Sequence, residues 1–427
     1  MPYSLHRTLT LPNTRGGLVN AVLFFEDGTR LASGGDDEVL RIWDVRSGDC
    51  QEFTDSEWGQ ITNLTIMLNP AGGETQGLLV GTARGVVSIY PWHERTMQFN
   101  RQAATNTVVF FDAPVESQAF DAMGSRFIAA SQLGTVKMYA IRDCRHMVLM
   151  WSFSIGSSIP HSLEFMGEEN ETFVIHTLTT GTVLCCDSRT GELTSESRRL
   201  RGGVGFVTFS ADKQQKAVHN LSIDQYELYG PTGSDPFPIS PFGTSRKIKG
   251  AAFGEGVRNI ICGGDDGTIY VYNIPNHEIE QELIQGDYGT ICALTTCSTR
   301  DYHLIASAAG ELPAHVYIWG KPTQRRHTED MEQELERQRI EAQAALDAAT
   351  LAQSCQEAES LRAELAAKVE SVRRLKANFE RKRTRKLILR AFLVLSILIL
   401  PIVVGWARSD IRGIFTPHAD VSDLRSD

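Results

Sequence analysis

The acid pairs Asp36-Asp37 and Asp265-Asp266 are the side chains here best suited to hold a cation, and each follows a glycine pair. A divalent cation needs six or more oxygens converging on it. Neighbouring carboxylates in a glycine-rich turn instead bond the amides of that turn, and that is the preferred reading. His161 and Glu164 are three residues apart, but their surroundings read as a strand, which sends them to opposite sides. Gly202-Gly203 and Gly263-Gly264 sit between strand-like runs, not ahead of a helix that could bind phosphate. Neither GxxxxGK[ST], GxSxG nor HExxH occurs. No catalytic residue, metal ligand or cofactor is therefore expected, and the chain reads as a non-enzyme.

The elements around these acids repeat. Leu31 to Val45 reads as two short strands joined by a polar turn, with Gly34 and Gly35 expected to supply the turn's backbone angles. Similar cores start at Leu78, Phe127, Phe173, Ala217, Ile260 and Leu304. Their spacing stays in the mid-forties, with a further apolar strand such as Val19–Phe24 or Ile248–Phe253 ahead of most. A strand-turn-strand unit at that period predicts an all-β propeller of seven blades with four strands each. One blade cannot bury both faces of its sheet, so the blades must stack into a ring. Seven cores leave the last blade one strand short, and residues 4–11, with strand-like alternation, are expected to complete it.

On these residues residues 4–320 resemble the WD40-repeat family. Asp37 and Trp43-Asp44 in the first unit, and Asp266 with Tyr272-Asn273 in the sixth, stand where that family has its turn aspartate and its WD dipeptide; Trp319 fills the tryptophan slot of the seventh. The resemblance implies that these aspartates and aromatics lock blades, through a histidine near the start of each unit. Arg15 occupies that slot in the first unit, so the histidine network is expected to be altered, and units two to five are degenerate.

Four regions follow: a propeller over 1–324, a helical stalk over 325–386, an apolar span over 387–407 and a polar tail over 408–427. The chain carries 42 basic and 52 acidic residues; removing the 18 and 16 that lie beyond residue 324 leaves the propeller with 24 and 36, a net of −12. That balance argues against nucleic-acid binding, which relies on neutralising phosphates. The eight cysteines form no CxxC pair and no regular framework, as expected of thiols in a cytosolic domain.

Residues 328–386 contain neither glycine nor proline, and Thr328 followed by Glu329 and Asp330 reads as a helix start. Leu361, Leu365, Val372, Leu375 and Phe379 fall on heptad positions and predict a coiled coil and a homodimer; a single long helix or a helical hairpin is the alternative. Residues 391–407 carry no charge, and with Leu387–Leu389 they match the hydrocarbon thickness, about 30 Å. The preceding basic run includes Arg381, Lys382, Arg383, Arg385, Lys386 and Arg390, and the positive-inside rule keeps stalk and propeller cytosolic. The layout predicts a tail anchor, in the endoplasmic reticulum first and the mitochondrial outer membrane second.

The expected function is a membrane-tethered scaffold that recruits protein partners through propeller loops. The alternative, from a similarity of arrangement, is a propeller-type guanine nucleotide exchange factor for a small GTPase at the endoplasmic reticulum. Two surface features stand out. One is the connection 229–247, with Pro231, Pro236, Pro238 and Pro241 beside Phe237 and Phe242, read either as an irregular outer strand or as a partner-binding lip; the other is the basic group Arg198, Arg199 and Arg201, read as a solvated loop.

Overall fold

The computed structural model describes residues 1–11, 17–55, 58–69, 75–93, 98–99, 108–123, 125–142, 146–230, 236–239, 245–286, 289–310, 314–351, 362–374 and 376. It separates into two units, Met1–His327 and Thr328–Asp427.

The first unit consists of seven antiparallel sheets met in chain order. Blade 1 is Val19–Phe25, Arg30–Gly35, Val39–Asp44 and Cys50–Thr54. Blade 2 is Ile61–Leu68, Thr75–Thr82, Val86–His93 and Val108–Phe110, with Gln98–Phe99 as a side pairing. Blade 3 runs from Val115 to Ser154, blade 4 from Pro160 to Arg199, blade 5 from Val204 to Ile239 and blade 6 from Ala251 to Ile284. Blade 7 has three late strands, Ile291–Ser298, Tyr302–Ala309 and His315–Pro322, and takes its fourth from Ser4–Thr10. In that closing ladder Leu5 stands opposite Trp319 and Leu9 opposite Val316. The innermost strands touch one another in sequence and the seventh touches the first, so the ring is closed.

Sheets stacked this way bury both faces, which is why the second and third strands read as near-continuous apolar runs. One apolar cluster fills each seam. The seam of blades 7 and 1 holds Leu9, Val22, Leu31 and Val316; that of blades 1 and 2 holds Leu40, Trp58, Ile61 and Leu78. A third-strand side chain faces the preceding seam in every blade: Trp43, Tyr90, Tyr139, Cys186, Tyr229, Tyr272 and Trp319. Blade 4 has a cysteine where the others carry an aromatic ring.

The seam of blades 4 and 5 differs. Its cluster has three buried apolar residues, Val204, Val218 and Tyr229, where every other seam has nine or more among the described residues. Polar bonds take over there. Lys213 Nζ lies 3.0 Å from Glu164 Oε1 and also donates to the Phe165 carbonyl, and the Val204 amide donates to the Leu178 carbonyl at 2.7 Å. His176, fully buried, lies 3.1 Å from Lys216 Nζ through its Nε2.

The glycines of the first turn play a different part from the one expected. The left-handed backbone falls on Glu38, with φ of 65°, and not on Gly34 or Gly35. Both glycines supply room: a Cβ on Gly35 would lie 1.8 Å from the Leu18 carbonyl oxygen, and one on Gly34 would lie 2.7 Å from Ile61.

The helix after the propeller also starts earlier than expected, at Gln324 and not at Thr328, and runs to Leu351. Thr323 explains the start. Its Oγ1 accepts from the Arg326 amide at 3.4 Å while donating to the Arg300 carbonyl at 2.8 Å, which caps the helix within the first unit. A second helical stretch covers 362–374, where Leu365 and Val372 are half-buried. Leu361, Leu375 and Phe379, the basic residues from Arg381 to Arg390, and the span 387–407 lie outside the described residues. None of the described helices is long and apolar enough to cross a membrane.

Candidate interaction surface

Two kinds of turn divide the propeller into two faces. Turns between second and third strands, such as residues 36–38, open on one face, called upper here. Turns between third and fourth strands open on the other. Asp44 builds the first of these lower turns: its Oδ1 accepts from the amides of Arg46 at 3.0 Å and Ser47 at 2.8 Å, and Arg30 lies 3.1 Å away. The Ser47 amide bond is the main reason its carboxyl sits below the usual range. Asp187 does the same for blade 4, accepting from Arg189 and Thr190.

On the upper face of blade 1, Asp37 accepts from the Val39 amide at 3.2 Å and from Arg41 Nη1 at 2.6 Å, while Arg41 Nε reaches Glu52 at 2.8 Å. Trp43 Nε1 donates to Ser33 Oγ at 2.8 Å, with both residues buried. Asp37 and Trp43 thus brace their own blade. The bond to the neighbour comes through Asp36: it accepts from Asn20 Nδ2 at 2.8 Å, and the same amide reaches the Ile61 carbonyl of blade 2 at 3.1 Å. Arg15, in the expected histidine slot, lies outside the described residues. Asp266 accepts from the Thr268 amide at 3.2 Å, while Tyr272 and Trp319 are buried in their seams.

Asn20 belongs to a ring of equivalent positions. The innermost strand of six blades carries a bulge at its upper end, at Asn20, Thr62, Glu116, His161, Gly205 and Cys292. A bulge re-aims one side chain out of the ladder, and here it turns toward the next blade. Thr62 Oγ1 donates to the Val115 carbonyl at 2.8 Å; His161 bonds Glu116 at 2.5 Å and the Gly205 carbonyl at 2.8 Å; Cys292 Sγ reaches the Val19 carbonyl at 3.6 Å. Burial pushes the Glu116 carboxyl up, but the bond and charge of His161 outweigh it and hold the group below its usual range.

Blade 6 has no such bulge, and Lys249, just ahead of its innermost strand, takes the role. Its ammonium is buried, bonds Asp224 of blade 5, and lies 3.2 Å from Asp265 of its own blade. His219 Nε2 meets the same Asp224 oxygen at 3.0 Å. Burial raises the Asp224 carboxyl, yet the hydrogen bonds from Lys249 and His219 bring it below its usual value; burial also lowers His219. Asp265 in addition accepts from the Ser245 hydroxyl at 2.5 Å.

The acid pairs are therefore spent on amides, Asn20, Arg41, Ser245 and Lys249, and among the described residues no three metal-ligating side chains converge. His161 and Glu164 take different partners, His161 between Glu116 and the Gly205 carbonyl and Glu164 on Lys213, but a bulge at His161 breaks the alternation on which their separation was expected. Lys249, Asp224 and His219 were not singled out in the sequence. The usable signal was position: Lys249 follows Ile248 and precedes Gly250-Ala251-Ala252-Phe253 as Asn20 follows Val19 and precedes Ala21-Val22-Leu23-Phe24. Of the connection 229–247, Phe237–Ile239 forms a short outer strand on blade 5, the irregular strand anticipated there.

Residues 5–44 match the model of the WD domain, G-beta repeat. That stretch is the strand that closes blade 7 plus the first three strands of blade 1, so the sequence repeat is offset by one strand from the structural blade. No curated protein matches the chain. The matched repeat, the seven antiparallel blades and the ring closed by the N-terminal strand together support a WD40-repeat β-propeller.

Proposed function

We propose that the propeller recruits protein partners through its upper face, and that residues 387–407 tether it to the cytosolic side of a membrane. The observation that carries the recruiting half is the ring of inter-blade bonds around that face. It holds the described turns of that face on one rigid frame, and loops on a rigid frame are where recognition residues collect. Binding by preorganised loops loses little entropy. Exposed apolar side chains at the tips of those turns, Leu133 and Ile223 among them, suit protein partners.

The membrane half rests on the sequence: 17 uncharged residues behind a basic flank, best suited to the endoplasmic reticulum and next to the mitochondrial outer membrane. A stalk dimer along Leu365 and Val372 belongs to the same reading, and the propeller's net charge of −12 keeps nucleic acid out of it.

Proximity labelling from the propeller in intact cells, alongside alkaline extraction of membranes, tests both halves. The expected result is a reproducible set of labelled cytosolic proteins and a chain that stays in the membrane pellet. Labelling no different from that of a free labelling enzyme overturns the recruiting half, and release into the supernatant overturns the tether. A nucleotide-release assay with small GTPases separates recruitment from exchange activity.

A further inference from the structure

The segment Ser245–Lys249 on the upper face is pinned at both ends. The Ser245 hydroxyl and amide bond the two oxygens of Asp265 at 2.5 and 3.2 Å. Lys249, 1 % exposed, is held by Asp224 and Asp265. Between the pins Arg246 adopts a left-handed backbone, φ 53°, unusual for a side chain of its size. The result is that Arg246, Lys247 and Ile248 all face solvent, with Ile248 39 % exposed. A surface loop that spends a buried lysine and a strained residue to hold three side chains outward is built to present them.

The surface beside it continues the pattern. Asp224, which holds Lys249, follows Ile223, an exposed apolar side chain at the tip of the blade 5 turn. That turn meets the connection from blade 4 to blade 5, where the Gly203 amide donates to Ser222 Oγ at 3.3 Å and the Gly203 carbonyl accepts from the Leu221 amide. Arg201 and Arg199 are exposed there, and Arg199 Nε donates to the Thr180 carbonyl at 3.2 Å. The upper ends of blades 4 to 6 thus carry four exposed basic side chains and two exposed isoleucines, with one exposed acid, Asp266, beside them.

We propose that this patch, Arg199, Arg201, Arg246 and Lys247 around Ile223 and Ile248, docks an extended acidic peptide segment of a partner protein that carries apolar side chains. The proposal rests on the recruiting role above and gives that role a place and a chemistry. Charge complementarity selects the occupant. The propeller as a whole is acidic, with a net of −12, so a bilayer or nucleic acid, whose negative charge extends past the patch, meets repulsion around it. A short peptide meets the patch alone, because exposed charges beyond about 10 Å are screened at ordinary salt.

The test uses the full chain in a zwitterionic detergent and a fluorescein-labelled peptide of alternating Glu or Asp with Leu or Phe, read by fluorescence anisotropy. Two control peptides replace every acid by Lys or every apolar residue by Ser. Wild type should bind the acidic apolar peptide most tightly. R246E/K247E should weaken it at least tenfold and Ile223→Ser severalfold, while Arg189→Glu on the lower face should leave it unchanged. Arg201→Glu, at an exposed position outside the segment 245–249, guards against a folding defect of that segment and should also weaken binding several-fold. The proposal is overturned by equal affinity in Arg201→Glu and R246E/K247E, or by binding of the Lys peptide as tight as that of the acidic one. It is also overturned if wild type fails to bind below millimolar concentration, or if phosphatidylserine vesicles compete with the peptide at the same basic residues more strongly than it binds. Any of these leaves the recruiting role itself standing on the labelling experiment.

Discussion

Arg41 Nη1 and Asp37 Oδ2 stand 2.6 Å apart across the tight turn of blade 1, with 2 % and 5 % of their side chains exposed. A buried pair adds little net stability over an apolar substitute, but breaking it leaves a charge stranded. Arg41→Leu should cost about 3–5 kcal/mol, because Asp37 then keeps only the Val39 amide among these partners. Asp37→Asn should cost less, about 1–3 kcal/mol, because Glu52 still neutralises Arg41. Urea unfolding of both variants reads the difference, and equal losses would show that Glu52 does not compensate.

Removing residues 1–11 takes away the fourth strand of blade 7 and with it Tyr3, Leu9 and Leu11, all buried in seams that flank that blade. Each such side chain is worth about 1.5–3 kcal/mol, against a whole-domain stability of about 5–15 kcal/mol. The truncated chain should lose its cooperative thermal transition or aggregate. An unchanged melting temperature would mean that the ring does not depend on its closing strand.

Gly35→Ala places a methyl carbon 1.8 Å from the Leu18 carbonyl oxygen, so backbone must move. A loss of about 3 kcal/mol is expected. Gly156→Ala, where a Cβ meets nothing within 4 Å but the backbone has φ of 72°, should cost about 1 kcal/mol from strain alone. Paired melting curves that rank the two the other way would refute the steric account of Gly35.

Acid should loosen the ring at its polar seam. Burial drives the His176 pKa well below its usual 6.5, with Lys216 adding to the effect, and burial lowers His219 and His303 as well. In the unfolded chain these groups take up protons near pH 6.5; in the folded chain they do so only at lower pH. Stability is therefore full above pH 6.5 and falls as pH drops below it. Glu164, whose carboxyl burial pushes up, works in the opposite sense at lower pH. Melting temperature should decline from pH 6.5 to 5, and His176→Gln should flatten the decline. Amide exchange near pH 5 should open the seam of blades 4 and 5 before the others.

The period of the chain was legible because one slot repeats: Trp43, Tyr90, Tyr139, Tyr229, Tyr272 and Trp319 each must fill the seam with the preceding blade, and that demand keeps the strands in step. The closing strand was legible for a related reason, since seven cores left one sheet short. What could not be read was the division of labour between Asp36 and Asp37, because adjacent residues in a turn point apart and only the fold decides which meets Asn20. Lys249 was hidden because a lysine ahead of a strand looks solvated until Asp224 and Asp265, 25 and 16 residues away in sequence, close over it. The bulges at Glu116 and His161 break the two-residue alternation at the positions where it would have been most informative.

The pairing of Leu5 with Trp319 also sets a clock on synthesis. At about 5–20 residues per second, roughly 15 to 65 seconds separate the appearance of the first strand from that of its partner. Throughout that time Ser4–Thr10 has an unpaired edge, and blade 1 shows nascent-chain partners the face that the blade 7 strands will later cover. Edges of this kind are what chaperones bind. Residues 4–10 are thus the propeller strand that waits longest for its partner, although they are made ahead of the other strands of the ring.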